Sequence, residues 1–473
     1  MRTTTTALAA TLLLAGGLSA CSVAGADSED GADVVTIGYQ SKTINTVTAG
    51  TLLREKGYFE AKLKEIDPEL KVDWQDYDTG APITAQMLAG KIDIGSMGDY
   101  PLLINGSRAG TDDDGDSMVA VTGYNLHGAL NGVVVGPASG VQTLKDLKGG
   151  DISASVGSAG HGTLVQALTA LGLDSTTDVT VENQDPPVGA SALEAGSVDA
   201  VSQFVAWPGL LTFRDDARLV YDGGRLDVPT LHGTVIRNEY GDEHADIVEA
   251  FLETQIDATT FLHEHPMEAA EIVAKATGLP PEVVYLYNGR NGVSTFDPTL
   301  KSQQLGALEH DLPFLKSVGV LQDPLDLDGF VDDSFIKDAY GDDYDRVAAD
   351  TTNQAAITGT DEACQKQVSD AATAGELWVQ GEDDTRPAAD PTCLLRNVAQ
   401  VEAAGGSLRA TYVPDAVTGT RWFADHMIWL RDGKVFEPFA TRDSADDYAT
   451  GHPGSQELTW EQAVAAAAAG AGR

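Results

Sequence analysis

The sequence predicts an α/β protein built from two lobes and followed by a separate α+β unit. The first observation is the stretch Val34–Tyr100, where hydrophobic strands alternate with helices in the order of a doubly wound α/β domain. The second is length, because 473 residues exceed one ordinary domain. The third is a change of composition after Asp350. Hydrophobic residues make up 42% of the chain, which is enough for packed cores.

The first twenty residues have the organisation of a targeting segment. Arg2 supplies a positive charge, and a short apolar run leads to Leu18-Ser-Ala-Cys21. This tetrapeptide resembles the bacterial lipobox, which implies a signal peptide over residues 1–20, lipidation of Cys21 and an extracytoplasmic, membrane-anchored lipoprotein. The alternative is an ordinary secretory signal. Residues 21–33 are small and acidic and predict a flexible tether.

The net charge of −42 limits the possible partners. Such a surface repels nucleic acid and anionic lipid, so we expect no nucleic-acid partner and membrane contact through the lipid anchor alone. A small anionic ligand stays possible, because helix N-termini make a cleft locally positive. The acidic run Thr111–Asp116 lacks the remaining ligands of an EF-hand and indicates a solvated loop.

Two segments, 34–124 and 228–345, predict the first lobe. Loops at Gln40–Thr43 and Ser96–Tyr100 follow strands of this lobe, and ligands bind at the carboxyl ends of strands in such sheets. Both loops carry small or hydroxyl-bearing residues next to expected helix N-termini, which suits a small polar or anionic molecule. From Asp242 to Tyr340 the pattern is helical and predicts packing outside the lobe.

Residues 125–227 predict the second lobe, with strands at Asp151–Val156, Asp178–Asn183 and Val198–Phe204. A glycine-rich loop, Gly157–Thr163, opens a helix in this lobe. The chain crosses between the lobes near Gly123–Leu130 and again near Gly223–Thr230. Two chain crossings between the lobes are the connectivity expected of a hinged protein that closes on a ligand.

A linker is expected over residues 346–361 and an α+β unit over residues 362–473. We predict helices at Glu362–Ala374 and Cys393–Ala404, then a hairpin pairing Gly406–Pro414 with Thr420–Asp432. Short helices follow near Ala445–Tyr448 and Trp460–Ala469.

Several phrases of the first 340 residues resemble the binding proteins of nitrate/sulfonate/taurine-type ABC importers, which have the type II periplasmic-binding-protein fold. The resemblance covers about Val34–Tyr340, and the order and spacing of the phrases carry it. The phrases include Ile37-Gly-Tyr-Gln, Lys56-Gly-Tyr-Phe-Glu60, Leu88-Ala-Gly-Lys-Ile-Asp-Ile-Gly95, Leu144-Lys-Asp-Leu-Lys-Gly149 and Leu193-Glu-Ala-Gly-Ser-Val-Asp-Ala200.

The resemblance implies that loops of both lobes contact the ligand. Trp207 would form an apolar wall, and the alternative for Trp207 is a place in the core. The candidate ligand-binding residues are Gln40, Ser41, Thr43, Ser96, Met97, Gly98, Asp99, Tyr100, Ser158, His161, Gly162, Thr163 and Trp207.

Asp99 departs from what a simple anion such as nitrate requires. Its carboxylate would repel an anion unless Lys42 or Arg290 paired with it. It would instead suit a ligand with an ammonium group, such as taurine, or a neutral heterocycle.

The same fold also carries enzymes, which gives a second class of function. A desulfinase with a cysteine nucleophile is excluded, because no cysteine lies between Val34 and Asp350. Acyl-transfer hydrolases are disfavoured, since no Gly-x-Ser-x-Gly motif occurs. A pyrimidine-forming enzyme using His161 or His127 stays an alternative.

The C-terminal unit resembles the copper-binding accessory lipoproteins of nitrous oxide reductase (NosL-type). The phrases are Thr420-Arg-Trp-Phe-Ala-Asp-His-Met427, Val435–Tyr448 and Leu458-Thr-Trp-Glu-Gln-Ala463. The resemblance implies candidate Cu(I) ligands, because soft donors select that ion. These are Cys364, Cys393, His426, Met427 and His452. The alternative is a disulfide between Cys364 and Cys393, with Met427 and Trp429 in a hairpin core.

We therefore predict a lipid-anchored solute-binding protein, not an enzyme, that captures a small sulfonate- or taurine-like ligand between two lobes. It would deliver the ligand to ABC permease subunits and requires no cofactor, with Cu(I) possible at the NosL-like unit. The alternatives are a copper-handling accessory lipoprotein and a pyrimidine-precursor binding protein or enzyme.

Overall fold

The computed structural model describes residues 34–317, 319–321 and 324–470. The predicted signal peptide, Cys21 and the tether lie outside these ranges. The chain enters a first sheet and its helices in the order β1 (Val34–Tyr39), α1 (Thr51–Lys56), α2 (Tyr58–Ile66), β2 (Lys71–Asp76), α3 (Gly80–Met87), β3 (Ile94–Gly98), α4 (Asp99–Ala109) and β4 (Asp116–Asn125).

A second sheet follows at once, with short strands and three helices. Its elements are β5 (Asn131–Val135), β6 (Asp151–Ala154), α5 (Ala159–Ala170), β7 (Thr180–Asn183), α6 (Pro186–Glu194), β8 (Ala200–Phe204), α7 (Trp207–Asp215) and β9 (Arg218–Asp222). The strand order is β7-β6-β8-β5-β9, in which β5 runs antiparallel to its neighbours β8 and β9. The strands β6, β7 and β8 run parallel, so their carboxyl ends share one edge.

The chain then returns to the first sheet and continues as helices. These elements are β10 (Thr230–Arg237), α8 (Asn238–Glu243), α9 (Ala245–Glu264), α10 (Pro266–Thr277), α11 (Pro281–Asn288), β11 (Thr295–Phe296), α12 (Ser302–Ser317), α13 (Leu327–Phe330), α14 (Ser334–Tyr340) and α15 (Tyr344–Ala349). The first sheet has the order β11-β4-β10-β3-β1-β2. The mixed α/β class predicted from the sequence is confirmed, and a further sheet-containing region follows. The residue boundaries of the lobes stay predictions.

The C-terminal unit (residues 360–470) contains two small sheets of its own. Its elements are β12 (Thr360–Asp361), β13 (Lys366–Gln367), β14 (Gly375–Val379), β15 (Arg386–Ala388), α16 (Pro391–Ala403), β16 (Leu408–Pro414), β17 (Arg421–Phe423), β18 (Ile428–Asp432), β19 (Val435–Phe439), α17 (Arg442–Gly451), β20 (Gln456–Leu458) and α18 (Trp460–Gly470). The sheets have the orders β15-β14-β16-β17 and β19-β18-β20.

The predicted helix Glu362–Ala374 is wrong. This segment holds the β12–β13 hairpin, because Asp361 accepts a hydrogen bond from the Cys364 backbone N–H and Gln365 adopts a left-handed conformation (φ 51°). Such local aspartate turns compete with helix formation. The predicted strand Thr420–Asp432 is likewise divided, since a 3₁₀ turn at Ala424–His426 sends its two halves into different sheets.

Hydrophobic packing joins the C-terminal unit to the rest of the protein. One continuous cluster of buried side chains runs from Val134 of β5 through Leu210 of α7 and Tyr285 of α11 to Trp378 of β14. A second cluster fills the first sheet and its helices. Among the described residues, no helix combines the length and apolar character needed to cross a membrane.

Candidate functional site

Three helices begin at the space between the two lobes. Gly80 is the first residue of α3, Gly98 precedes α4, and Ser158 precedes α5. All three residues line one interlobe cavity. The first N–H groups of a helix lack intrahelical partners, and each N-terminus carries a partial positive charge of roughly half an elementary charge. The fold therefore directs three positive helix ends at one point.

The cavity itself is small and uncharged. Its volume is about 10 Å³, which is close to the space of a single water molecule. Among the residues that the structure describes, its lining contains no carboxylate, lysine or arginine. The lining residues are Gln40, Gly80, Gly98, Pro101, Ser158, Ala159, Phe204 and His232. A ligand larger than water thus requires the lobes to separate before it enters.

His232, on β10, presents a hydrogen-bond donor to this cavity. The side-chain amide nitrogen of Asn45 lies 2.6 Å from His232 Nδ1 and 3.4 Å from the carbonyl oxygen of Gly123. Because the amide donates to both, Nδ1 is the acceptor and the proton resides on Nε2. Burial lowers the pKa of His232 to about 3, so the ring is neutral near pH 7.

Because Gly98 has no side chain, the His232 imidazole can pack directly against the backbone at this position. A Cβ at Gly98 would lie 3.0 Å from His232 Nε2 and 3.3 Å from Cε1. Any side chain there would press on the ring and change the direction of its N–H group. Sequence reasoning selected Gly98 but missed its partner.

Of the residues predicted in the first loop, Gln40 lines the cavity, whereas Ser41 and Thr43 make contacts within the first lobe. Gln40 lines the cavity, and its Nε2 donates to the carbonyl oxygen of Ser96 at 3.1 Å. The backbone N–H and hydroxyl of Ser41 both donate to the carboxylate of Asp76, at 2.8 and 2.6 Å. Thr43 is buried beneath Gln40.

The predicted loop Ser96–Tyr100 is instead the end of β3 running directly into the start of α4, and most of its side chains lie away from the cavity. Met97 belongs to the core of the first sheet. Ser96 is buried, and its hydroxyl has no partner among the described residues. Tyr100 packs towards the second lobe, where its hydroxyl meets Gln166.

Asp99 does not meet either cation proposed for it. Its carboxylate accepts hydrogen bonds from the backbone N–H groups of Tyr100 at 2.8 Å and Leu231 at 3.4 Å. Burial, together with the nearby Asp311 carboxyl, raises the pKa of Asp99. Lys42 instead lies 4.0 Å from Asp78, and Arg290 pairs with Asp384 of the C-terminal unit at 2.7 Å. Neither Lys42 nor Arg290 therefore pairs with Asp99, so the condition under which this carboxylate would accept an anion is not met by these two cations.

Of the second-lobe candidates Ser158, His161, Thr163 and Trp207, one lines the cavity and the others lie elsewhere. Ser158 lines the cavity and caps α5 by accepting the His161 N–H. His161 is half-buried beside an outer groove that contains Phe314, and burial lowers its pKa. Thr163 accepts a hydrogen bond from Asn131 within the lobe. Trp207 is in the core, as its alternative interpretation held.

Gly162 allows the two lobes to touch. A Cβ at this position would lie 2.5 Å from the Tyr100 hydroxyl oxygen, which is shorter than any ordinary contact distance. Gln166, one turn further along α5, donates to that hydroxyl at 2.5 Å and to Asp311 of α12 at 3.2 Å. The two lobes therefore meet at a contact formed by Tyr100, Gln166 and Asp311.

The candidate copper ligands do not converge. Cys364 and Cys393 form a disulfide with a Cα–Cα distance of 5.8 Å, so neither offers a thiolate. Within the described ranges, the cluster of possible metal-ligating atoms comprises these two cysteines and Asp361. Met427 is buried in the hydrophobic cluster, and His426 lies 3.9 Å from Asp425. His452 stacks on Tyr448.

His127, the other candidate for histidine chemistry, is exposed. Its Nδ1 lies 2.6 Å from the Asp227 carboxylate where the chain crosses between lobes. It is not among the residues lining the interlobe cavity.

Sequence reasoning missed five of the lining residues. These are Gly80, Pro101, Ala159, Phe204 and His232. Gly80, Pro101 and Ala159 lie beside helix starts, so helix boundaries were an available signal. His232 sits within an apolar strand pattern, where a single histidine gives no indication of its partners.

Comparison with protein families covers nearly half of the chain. Residues 45–269 match the family model described as NMT1/THI5 like. Over 289 residues the chain is 29% identical to a Bacillus subtilis (strain 168) protein named for binding aliphatic sulfonates, covering 61% of this chain and 83% of that protein. An Escherichia coli (strain K12) protein with the same name is 27% identical over 288 residues, covering 61% and 85%.

Two solved structures show the fold. The alkanesulfonate-binding protein SsuA from Xanthomonas axonopodis pv. citri, bound to MOPS, superposes with a TM-score of 0.53 at 23% identity, over 63% of this chain and 97% of that one. The periplasmic aliphatic sulphonate binding protein SsuA from Escherichia coli gives a TM-score of 0.52 at 22% identity, over 63% and 91%. The fold is therefore that of periplasmic binding proteins, with additional C-terminal residues.

Proposed function

We propose that the chain is an extracytoplasmic solute-binding protein for alkanesulfonates, and the match of residues 45–269 to the NMT1/THI5 like family model supports this. It captures the ligand by closure of two lobes and delivers it to the permease of an ABC importer. Cys21 carries the lipid anchor. The lobes comprise residues 34–124 with 228–345, and residues 125–227.

The convergence of three helix N-termini on a cavity lined by neutral groups carries this proposal. A sulfonate spreads one negative charge over three oxygens, and helix N-termini with hydroxyl, amide and imidazole donors match it. His232 Nε2–H, the Ser158 hydroxyl and the α5 N–H groups are the proposed donors. Phe204 and Pro101 supply apolar surface for the hydrocarbon tail.

The composition of the lining also discriminates between sulfonates. The ammonium group of taurine is best stabilised by a counter-charge, and the lining residues described by the structure offer the neutral acceptors Gln40 and Ser158 but no carboxylate. Asp99 is turned to backbone N–H groups and is held towards its neutral form by its raised pKa. We therefore propose that simple alkanesulfonates bind more tightly than taurine, because burying the unpaired ammonium is unfavourable.

Binding is a sufficient function for this site. The proposal includes no catalytic step, since no cysteine nucleophile lies in residues 34–350 and the histidine in the cavity is an uncharged donor. The relatives at 29% and 27% identity are named as binding proteins.

Thermal unfolding with a ligand panel tests the proposal. The panel contains ethanesulfonate, taurine, nitrate and Cu(I), and a ligand at 100 times its dissociation constant stabilises the folded state by about 2.7 kcal/mol. We expect the largest shift with ethanesulfonate and its loss in His232→Leu. Ser191→Ala, at an exposed position of α6, is the control and should respond like the parent. A shift with Cu(I) alone would contradict the proposal.

A further inference from the structure

The C-terminal unit contacts both lobes at the place where the chain crosses between them. We propose that this unit restrains the hinge in its closed arrangement and so sets the affinity of the interlobe site. The inference assigns a role to residues 360–470, and its affinity component rests on the proposed binding function.

The hinge is identified by close backbone packing of the two crossings. A Cβ at Gly128 would lie 2.9 Å from the carbonyl oxygen of Gly223 and 2.7 Å from that of Val228. Gly128 is in the left-handed region (φ 96°), and Asp227 beside it has φ 53°. Hinge residues are the few positions that absorb the change in φ and ψ when lobes move. Contacts that fix these residues therefore oppose the motion.

The C-terminal unit forms direct hydrogen bonds with the second crossing, near Gly223–Thr230, where the chain returns to the first lobe. The Thr418 hydroxyl donates to the buried Asp222 carboxylate at 2.7 Å, next to the 3₁₀ turn Gly223–Leu226. Arg225, within that turn, pairs with Asp447 at 2.7 Å and donates to the Ser444 hydroxyl at 3.2 Å. These three hydrogen bonds connect the unit to the second-lobe end of the hinge.

A ring contact extends this connection into the second lobe. Phe213 of α7 lies 5.3 Å from Phe423 of β17, measured between ring centroids. The helix α7 packs on β5, β8 and β9 of the second sheet. The unit thus touches the body of the second lobe as well as the crossing.

The attachment to the first lobe is stronger. Within the unit, Glu376 and Arg421 form a buried ion pair of 2.7 Å, and the Tyr285 hydroxyl of α11 joins the first lobe to this pair by donating to Glu376 at 3.0 Å. Arg409 pairs with Glu282 of the same helix at 2.7 Å. Tyr285 also packs against Trp378 with 5.6 Å between ring centroids.

The contacts of the unit with α11 are stronger than its polar contacts with Asp222 and Arg225. The unit is therefore fixed on the first lobe, and its contacts with the return crossing are the ones that can be released. Buried, aromatic contacts hold the unit on α11. The polar contacts with the return crossing are the Thr418 hydroxyl and the partly exposed Arg225, and they lie beside the buried cluster that also includes α7. Opening the lobes must change the hinge and hence break or distort the weaker set. The apparent dissociation constant rises as the fraction of closed protein falls, so losing these contacts weakens ligand binding.

The test weakens the contacts with the return crossing and measures the lobes directly. Spin labels at Lys64→Cys on α2 and Ser191→Cys on α6 report the interlobe distance by double electron–electron resonance. Both positions are exposed, and the chain begins at residue 22 so that Cys21 is not labelled. The variant is Thr418→Val with Asp447→Asn. The control is Glu457→Gln, which removes a similarly exposed ion pair to Arg442 inside the unit.

Without ligand, we expect the variant to gain a population with a longer interlobe distance, whereas parent and control share the short distance. The dissociation constant for ethanesulfonate should rise about five- to tenfold in the variant, as expected from losing one charged hydrogen bond and one surface ion pair. Identical distance distributions in variant, control and parent would overturn the inference.

The distance measurement needs no ligand, so it decides the inference even if ethanesulfonate does not bind and the proposed function fails. If the double variant lacks a cooperative unfolding transition, Arg225→Gln carries the same test from the second-lobe side. An unchanged distance distribution in Arg225→Gln, in protein with a parent-like transition, would also overturn the inference.

Discussion

Gly162→Ala should open the lobes, because the added methyl group has no room in the closed arrangement. Its Cβ would lie 2.5 Å from the Tyr100 hydroxyl oxygen, well inside ordinary contact distance. Tyr100 is 2% exposed and cannot move aside without giving up its interlobe packing. Overpacking of this kind costs about 1–3 kcal/mol, and the lost hydrogen bond from Gln166 costs about 1 kcal/mol more.

These energies predict a large change in binding. A combined shift of about 2–4 kcal/mol against the closed form weakens the apparent affinity by roughly 30- to 700-fold, since each 1.4 kcal/mol is a factor of ten. The assay is calorimetric titration with ethanesulfonate, together with the interlobe distance from spin labels. We expect the longer distance to dominate without ligand.

The matched control is Gly306→Ala in the middle of α12. A Cβ there meets no atom within 4 Å, so the substitution adds the same methyl group to a helix without a clash. It should stabilise the protein by up to about 1 kcal/mol through helix propensity and leave binding unchanged. Parent-like affinity and interlobe distance in Gly162→Ala would refute the reasoning that the two lobes meet at this glycine.

Three further predictions concern stability. Burial raises the pKa of Asp99 and of Asp311, so the folded state binds more protons than the unfolded state above about pH 4. Stability in urea should therefore fall as pH rises towards the raised pKa values, and Asp311→Asn should flatten this dependence; an increase over that range would contradict the prediction. Replacing Cys364 and Cys393 by serine should cost about 2–4 kcal/mol in urea unfolding, and no loss would show that the disulfide does not stabilise the fold. Arg421→Leu removes the nearer cation from the buried Glu376 carboxylate, which then faces Arg290 at 3.7 Å, and should cost up to about 3–5 kcal/mol; a loss below 1 kcal/mol would contradict the account of this buried ion pair.

The sequence predicts the parallel parts of both sheets because hydrophobic strands and glycine-ended helices alternate regularly. Gln40, Gly98 and Ser158 were found for the same reason, since each lies at or shortly after the end of a strand and before a helical turn. Local patterns identify positions at the ends of strands. They do not reveal which of two neighbouring side chains turns inward, and Ser41 turns to Asp76 instead.

The remaining site residues depend on contacts between distant parts of the chain. His232 gains its role from Asn45, which lies 187 positions away in sequence. The surroundings of Asp99 are determined by burial and by the Leu231 backbone rather than by a lysine. Neither effect changes the local pattern of hydrophobic and polar residues from which the strands and helices are predicted.

The C-terminal unit shows the same limit. The helix predicted at Cys393–Ala404 is present, and it begins two residues earlier, at Pro391, after the Asp390 cap. Its contacts with Asp222, Arg225 and α11 could not be inferred, because the sequence gives no indication of which surfaces meet. The resemblance to copper-binding lipoproteins stays a prediction for this unit.

The central claim is that an uncharged cavity at three helix N-termini binds a sulfonate without an ammonium partner. Calorimetric titration of the parent protein with ethanesulfonate and with taurine, under the same conditions near pH 7, tests it most directly. The account predicts saturable binding of ethanesulfonate, with taurine at least about tenfold weaker because its ammonium is buried without a counter-charge. Tighter binding of taurine, or no binding of ethanesulfonate, would contradict it.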